Sequence, residues 1–150
     1  MRVVVQRVSE ASVAIHSKVS GEIGKGFMIL LGIEEVDNEE DVEWLCGKIS
    51  RLRVFDDQEG VMNLSVADVG GEILLISQFT LHASTRKGNR PSYIRAARPE
   101  TAIPLYELFK TRLSEMLGKP VRSGEFGAMM QIHLINDGPV TIIIDSRLKE

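Results

Sequence analysis

The chain has 150 residues, with 18 Lys and Arg against 21 Asp and Glu, a formal net charge of −3, 43% hydrophobic residues and 26% charged ones. That composition is globular rather than disordered or fibrous, long enough for one domain burying roughly two-thirds of its unfolded surface, and its negative balance excludes a generic basic nucleic-acid coat. The single cysteine, Cys46, leaves no internal disulfide and suits a reducing, cytoplasmic setting, and no apolar run resembles a signal peptide or a membrane span.

No repeat or Pro/Gly-rich linker divides the sequence, so residues 1–150 read as one domain. Val3, Val5 and Val8, then Ala11–Ile15, alternate as strands do, and a polar break at His16-Ser17-Lys18 separates them from Val19–Ile23. Phe27–Ile33 lacks polar alternation, which predicts a strand buried on both faces. A helix is expected to begin near Asp37, with Asp37 and Glu40 at capping-box spacing and an apolar stripe of Val42, Leu45, Cys46, Ile49 and Leu52. Glu72–Leu81 reads as one strand. A second helix follows Pro99, with Ala102, Tyr106, Phe109, Leu113 and Met116 as its stripe and Gly118 and Pro120 as its stop. Met129–Ile135 and Val140–Ile144 read as a strand pair around Asn136-Asp137-Gly138-Pro139, for which a hairpin turn is the plain explanation. The expected fold is α+β: a curved antiparallel β-sheet or roll with two packed helices.

Few residues announce chemistry. His16, His82 and His133 lie far apart without metal-ligand spacing and read as surface or strand-face residues, with a catalytic role for His82 as the minor alternative. Cys46 falls on an apolar stripe and reads as a buried, inert thiol. Gly21, Gly24 and Gly26 lack the Gly-Lys-Ser/Thr of a phosphate loop, and no serine sits in a G-x-S-x-G elbow. Residues 34 to 43 hold seven carboxylates, which read as a solvated helix start. Residues 86 to 98 carry Arg86, Lys87, Arg90, Arg95 and Arg98 with no acid, so the rest of the chain sums to −8. With Tyr93 interleaved, this loop suits a phosphate backbone, and equally a merely solvated surface. Ser77-Gln78-Phe79-Thr80 ends an apolar strand with three polar side chains, which demands either partners, a polar cleft or an exit to solvent.

Two motifs, Ser77-Gln78-Phe79-Thr80-Leu81 and Asn136-Asp137-Gly138-Pro139-Val140-Thr141, resemble those of the D-aminoacyl-tRNA deacylase family. The resemblance extends over nearly the whole chain, through Val5-Gln6-Arg7-Val8, Gly88–Tyr93 and Gly124–Ala128; His82 falls where the family varies, and Tyr93 where a Phe is common. It implies a homodimer with active sites at the subunit interface. Ser77, Gln78, Phe79 and Thr80 would form one wall, and the partner's Gly138 and Pro139, joined by a cis bond, would reach in with their carbonyls. Phe126 and Met130 would shape the pocket behind, Arg7 would hold the Gly-Pro loop, and the basic loop would contact tRNA.

The implied reaction is hydrolysis of the ester between a D-amino acid and the terminal ribose of tRNA. L-enantiomers would be rejected by clash with backbone carbonyls, and glycine mischarged on an alanine tRNA would be admitted. Amides near Phe79 and Thr80 are the candidate oxyanion donors. Thr80 is either the nucleophile or an orienting group beside the substrate's own 2′-hydroxyl, and the second is favoured because no histidine or lysine partner is evident. No metal or organic cofactor is implied. The rival readings are a non-catalytic tRNA- or RNA-binding module and a structural dimerising domain.

Overall fold

The computed structural model describes every residue from Met1 to Glu150. In chain order the elements are β1 (Arg2–Ile15), β2 (Lys18–Ile23), β3 (Gly26–Gly32), α1 (Glu39–Ser50), β4 (Phe55–Asp56), β5 (Met62–Leu64), β6 (Glu72–Ser77), a single 3-10 turn at Phe79–His82, α2 (Pro99–Leu117), β7 (Arg122–Ser123) and β8 (Gln131–Asp145). β1 and β2 form a two-residue hairpin through His16 and Ser17, whose φ values of 50° and 63° are those of a type I′ turn.

β1 is the spine of the sheet. Its whole length pairs antiparallel with β8 along one edge; along the other it pairs antiparallel with β3 and then with β2. The expectation of a wholly antiparallel sheet is wrong beyond this point. β3 pairs parallel with β6, and β6 parallel with β7. The reason is that α1 and α2 are themselves the connections: a helix between two strands returns the chain to start the next strand in the same direction. The sheet curls until β7 approaches β2, where Ser20 Oγ donates to the Ser123 carbonyl at 3.4 Å. The result is a mixed, nearly barrel-shaped sheet with two helices, while β4 and β5 form a separate ribbon.

Packing follows the side-chain period. Phe27, Ile29 and Leu31 of β3 join Ile73 and Leu75 of β6 in a cluster against both helices, whereas Met28, Leu74 and Ile76 join Val8 and Val13 in a second cluster. β3 is therefore buried on both faces, as its unbroken apolar run predicts. Val42, Leu45, Cys46 and Ile49 of α1 are fully buried, and so is Phe109 of α2. Met116 is an exception, 42% exposed, because Leu117, four residues after Leu113, takes the inward place. The α1 cap also differs by one residue: Asn38 caps Glu40, and Asp41 reaches back to the Asn38 amide, both at 2.9 Å. Asp37 instead points inward, accepting from the Met1 ammonium and the Glu34 amide at 2.7 Å each. Glu34 and Asp37 are thus buried members of a run that reads as wholly solvated.

Burial pushes the Cys46 thiol up to about 12. Only a thiolate alkylates readily, so native protein at pH 8 should take up no iodoacetamide over an hour, and denatured protein one equivalent, as read by mass spectrometry.

Candidate active site

The site begins where β6 stops. The Gln78 amide makes a last rung to the Leu31 carbonyl at 2.8 Å, and the chain then winds into the Phe79–His82 turn instead of continuing as a strand to Leu81. The polar side chains explain the stop. Gln78 Nε2 donates to Thr80 Oγ1 at 2.6 Å, tying the two side chains together locally, and Arg2 Nη1 pins the Leu81 carbonyl at 2.8 Å. The turn closes through Leu81 N–H to Gln78 O and Ala83 N–H to Thr80 O. The amides of Phe79 and Thr80 donate to no protein acceptor. His82 is buried, 1% exposed, so the expectation of a surface or strand-face histidine is wrong. The tight turn directs it into the core.

Ser77, Gln78 and Phe79 line a cavity of about 300 Å³, together with Phe126, Met130 and apolar side chains that include Leu31, Ile33, Ala97, Ala102 and Ile132. Apart from Ser77, Gln78 and Gly127, every lining residue is hydrophobic. Phe126 is propped edge-on by Tyr106, with ring centroids 5.6 Å apart. Burial pushes the Tyr106 phenol up to about 12, so it stays neutral and donates to the Leu75 carbonyl at 3.2 Å. Thr80 is not among the lining residues.

Gly138 and Pro139 lie elsewhere, exposed on β8 and outside the cavity. Their peptide bond is cis. They do not turn a hairpin, because the residues before and after both pair with β1: Gln6 faces Thr141, and Val8 already faces Asn136. Residues 137–140 are therefore an excursion within one long strand. Asn136 closes it, accepting from the Val140 amide through Oδ1 and donating to Thr141 Oγ1 through Nδ2, each at 3.0 Å. Arg7, 7% exposed, lies beneath it and donates through Nε to the Asp137 carbonyl at 3.0 Å and through Nη1 to the Val54 carbonyl at 2.6 Å.

The basic segment is a loop pinched at its base by Ser84 and Ser92, which exchange backbone hydrogen bonds of 2.8 and 2.9 Å. Arg86, Lys87 and Arg90 occupy its exposed tip and make no ion pair. Arg95 is different: its Nη2 lies 2.5 Å from Glu34 Oε1. Arg98 precedes α2, and its amide donates to Glu35 at 2.9 Å. Thr101 hydroxyl and that amide hold the Glu35 carboxyl below its usual range. Tyr93 meets Phe79 edge-on at 5.0 Å, which joins the loop to the cavity rim. No group of three or more His, Cys, Asp or Glu side chains is placed to hold a metal ion, and no helix is long and apolar enough to cross a membrane.

A family model described as D-Tyr-tRNA(Tyr) deacylase matches residues 4–145. The chain belongs to that family. A D-aminoacyl-tRNA deacylase of Bacteroides thetaiotaomicron is 62% identical over 150 residues, and one of Porphyromonas gingivalis 65%, with both chains covered in full in each case. These relatives of the deacylase family bear a hydrolase's name, in agreement with the motif resemblance and with its assignment to an enzyme. Among solved structures, a c-Myc DNA Unwinding Element Binding Protein superposes with a TM-score of 0.90 at 41% identity, covering 97% of this chain and 98% of that one. A probable eukaryotic D-amino acid tRNA deacylase superposes at 0.83 and 17% identity over 95% and 97%, sharing the fold.

Within this deacylase fold, the structure brings together Ser77, Gln78, Phe79, Phe126 and Met130, and separates them from Arg7, Gly138 and Pro139. Sequence reasoning missed Leu31, Ala97 and Ala102 as lining residues, since an apolar residue in a core strand, in a helix or in the loop before one gives no sign that it faces a void. Asn136 was legible only as part of a motif; its closing role depends on a partner four residues away.

Proposed function

We propose that the chain hydrolyses the ester of D-aminoacyl-tRNA, releasing D-amino acid and free tRNA in the cytoplasm. The observation that carries this reading is the turn at Ser77–Thr80: two unpaired backbone amides stand beside an apolar cavity, in a chain that shares its family. An ester carbonyl under attack becomes an oxyanion, and the Phe79 and Thr80 amides are its donors. Gly138 and Pro139 act in the site of a second copy, which makes the homodimer the working unit. Their exposure supports this, as does the second edge of β8, which pairs with no strand and carries exposed Ile135 and Ile143. The Gly138 and Pro139 carbonyls reject an L side chain by clash and leave D-amino acids and glycine free to bind, so glycyl-tRNA mischarged on tRNA(Ala) is also cleaved.

Incubation with D-Tyr-tRNA and L-Tyr-tRNA tests the reading: release of D-tyrosine alone is expected, and equal release or none overturns it. The name of the 41%-identical structure, a DNA unwinding element binding protein, and the unpaired basic loop tip favour a second reading, a nucleic-acid-binding module, which predicts binding without release. In either case the loop meets phosphates. Replacing Arg86, Lys87 and Arg90 by Ala should flatten the slope of log affinity against log salt by about 2, at roughly 0.7 per lost contact with a single strand. An unchanged slope from nitrocellulose-filter binding places the contact elsewhere.

A further inference from the structure

Behind the Phe79–Thr80 turn lies a polar cluster that the deacylase reading leaves unused. His82 ends that turn, and neither of its ring nitrogens has a hydrogen-bond partner. A buried imidazole left unpaired carries an uncompensated desolvation cost. Its Nδ1 lies 3.5 Å from Oε1 of Glu34, which is itself buried, and the same oxygen is held by Arg95 at 2.5 Å. The Arg95 side chain is 56% exposed and belongs to the basic loop. The Glu34 backbone is fixed by its bridge to Ala96 and by its amide on Asp37. One buried carboxylate oxygen therefore stands between an exposed guanidinium, which it holds closely, and a buried imidazole, which it does not.

We propose that Glu34 is a positioning residue linking the basic loop to the Phe79–Thr80 turn: a tRNA phosphate that draws Arg95 away leaves Glu34 to accept a hydrogen bond from His82 Nδ1, and that bond seats the turn for reaction. This inference rests on the deacylase reading above. A guanidinium forms strong bidentate bonds with phosphate, and Arg95 is exposed enough to make them. Stripping a cation from a buried carboxylate is costly unless another donor replaces it. The other group within ion-pair distance of Glu34 is His82. Shortening 3.5 Å to a hydrogen bond of about 2.9 Å moves the imidazole, and the residues that carry the free amides lie in the same turn. The imidazole is packed against the Gly32 backbone, where a Cβ would meet His82 Cδ2 at 3.0 Å, so the ring and the turn that carries it sit close to β3.

The test compares kcat for full-length D-Tyr-tRNA with kcat for 3′-O-D-tyrosyl-adenosine, which lacks the phosphates. The unaltered chain should favour the tRNA in kcat by at least about fivefold, the low end of coupling between two sites. His82→Phe should bring that ratio towards one. His82→Asn, whose Nδ2 can stand where Nδ1 stood, should keep most of it. A ratio unchanged in His82→Phe, or one in which both rates fall equally, overturns the relay and leaves the deacylase reading in place. Cleavage of neither ester by the unaltered chain overturns both. A second measurement needs no variant: saturation with deacylated tRNA should shift the His82 Nδ1 resonance in ¹⁵N-histidine spectra. An unmoved resonance at saturation overturns the relay.

Discussion

Thr80→Ala should retain deacylation within about tenfold of the unaltered chain, whereas removing the 2′-hydroxyl from the terminal ribose of the substrate should lower the rate at least about 100-fold, the lower bound of what a positioned proton-transfer group contributes. The difference follows from what surrounds Thr80. A hydroxyl nucleophile needs a base to take its proton, and the only side chain bonded to Thr80 Oγ1 is the amide of Gln78, which donates to it at 2.6 Å. An amide has no capacity to accept that proton. The one titratable side chain on the same turn, His82, is buried among core residues and faces Glu34 rather than solvent. With one lone pair engaged by Gln78, Thr80 still has a proton to donate, which suits orientation of a substrate oxygen. The substrate's 2′-hydroxyl lies one carbon from the ester and brings the missing group by proximity. Single-turnover rates with ribose and 2′-deoxyribose termini measure both effects. Abolition of turnover in Thr80→Ala, with a trapped acyl-Thr80 adduct in the unaltered chain, would show the opposite assignment.

Much of this arrangement was legible in the residues themselves. The unbroken run Phe27–Ile33 implied a strand between two apolar layers, and Pro99 and Gly118 bounded α2 as their backbone preferences dictate. The parallel pairs were not legible, because periodicity reports which face is buried and not which way the neighbouring strand runs. Gln78 and Thr80 looked like a strand leaving the core, and only their mutual hydrogen bond shows why the strand ends at Ser77. The charge balance misled most. A mean of −3 over the chain conceals Glu34 and Asp37 turned inward, where Asp37 takes the Met1 ammonium and Glu34 takes Arg95. Their charges are spent inside the fold, so the basic loop tip faces solvent with less opposition than the count suggests.

Gly138→Ala should lower the D-over-L preference in kcat/KM by at least about tenfold, equivalent to about 1.4 kcal/mol of lost discrimination. Gly138 has φ +133°, in the region L side chains rarely adopt, and an added Cβ would meet Val140 Cγ2 at 2.8 Å and Arg7 Nη2 at 3.1 Å. Neither neighbour can withdraw freely. Val140 is buried and tied through its amide to Asn136, and the Arg7 guanidinium is held by the Asp137 and Val54 carbonyls between the carboxylates of Asp56 and Asp137, each at 3.6 Å. The excursion must therefore move, and with it the carbonyls proposed to exclude an L side chain. Arg7→Ala should act in the same direction while also costing stability, about 1–3 kcal/mol for a buried carbonyl left without its donor. Phe126→Leu is the control, since it changes a side chain lining the cavity and leaves the excursion alone. It should alter rates on both enantiomers more than their ratio. Parallel kcat/KM measurements on D-Tyr-tRNA and L-Tyr-tRNA, with thermal midpoints for each variant, separate the cases. A D/L ratio that survives Gly138→Ala and Arg7→Ala while Phe126→Leu erodes it would place the chirality filter in the cavity and not in the Gly138-Pro139 backbone.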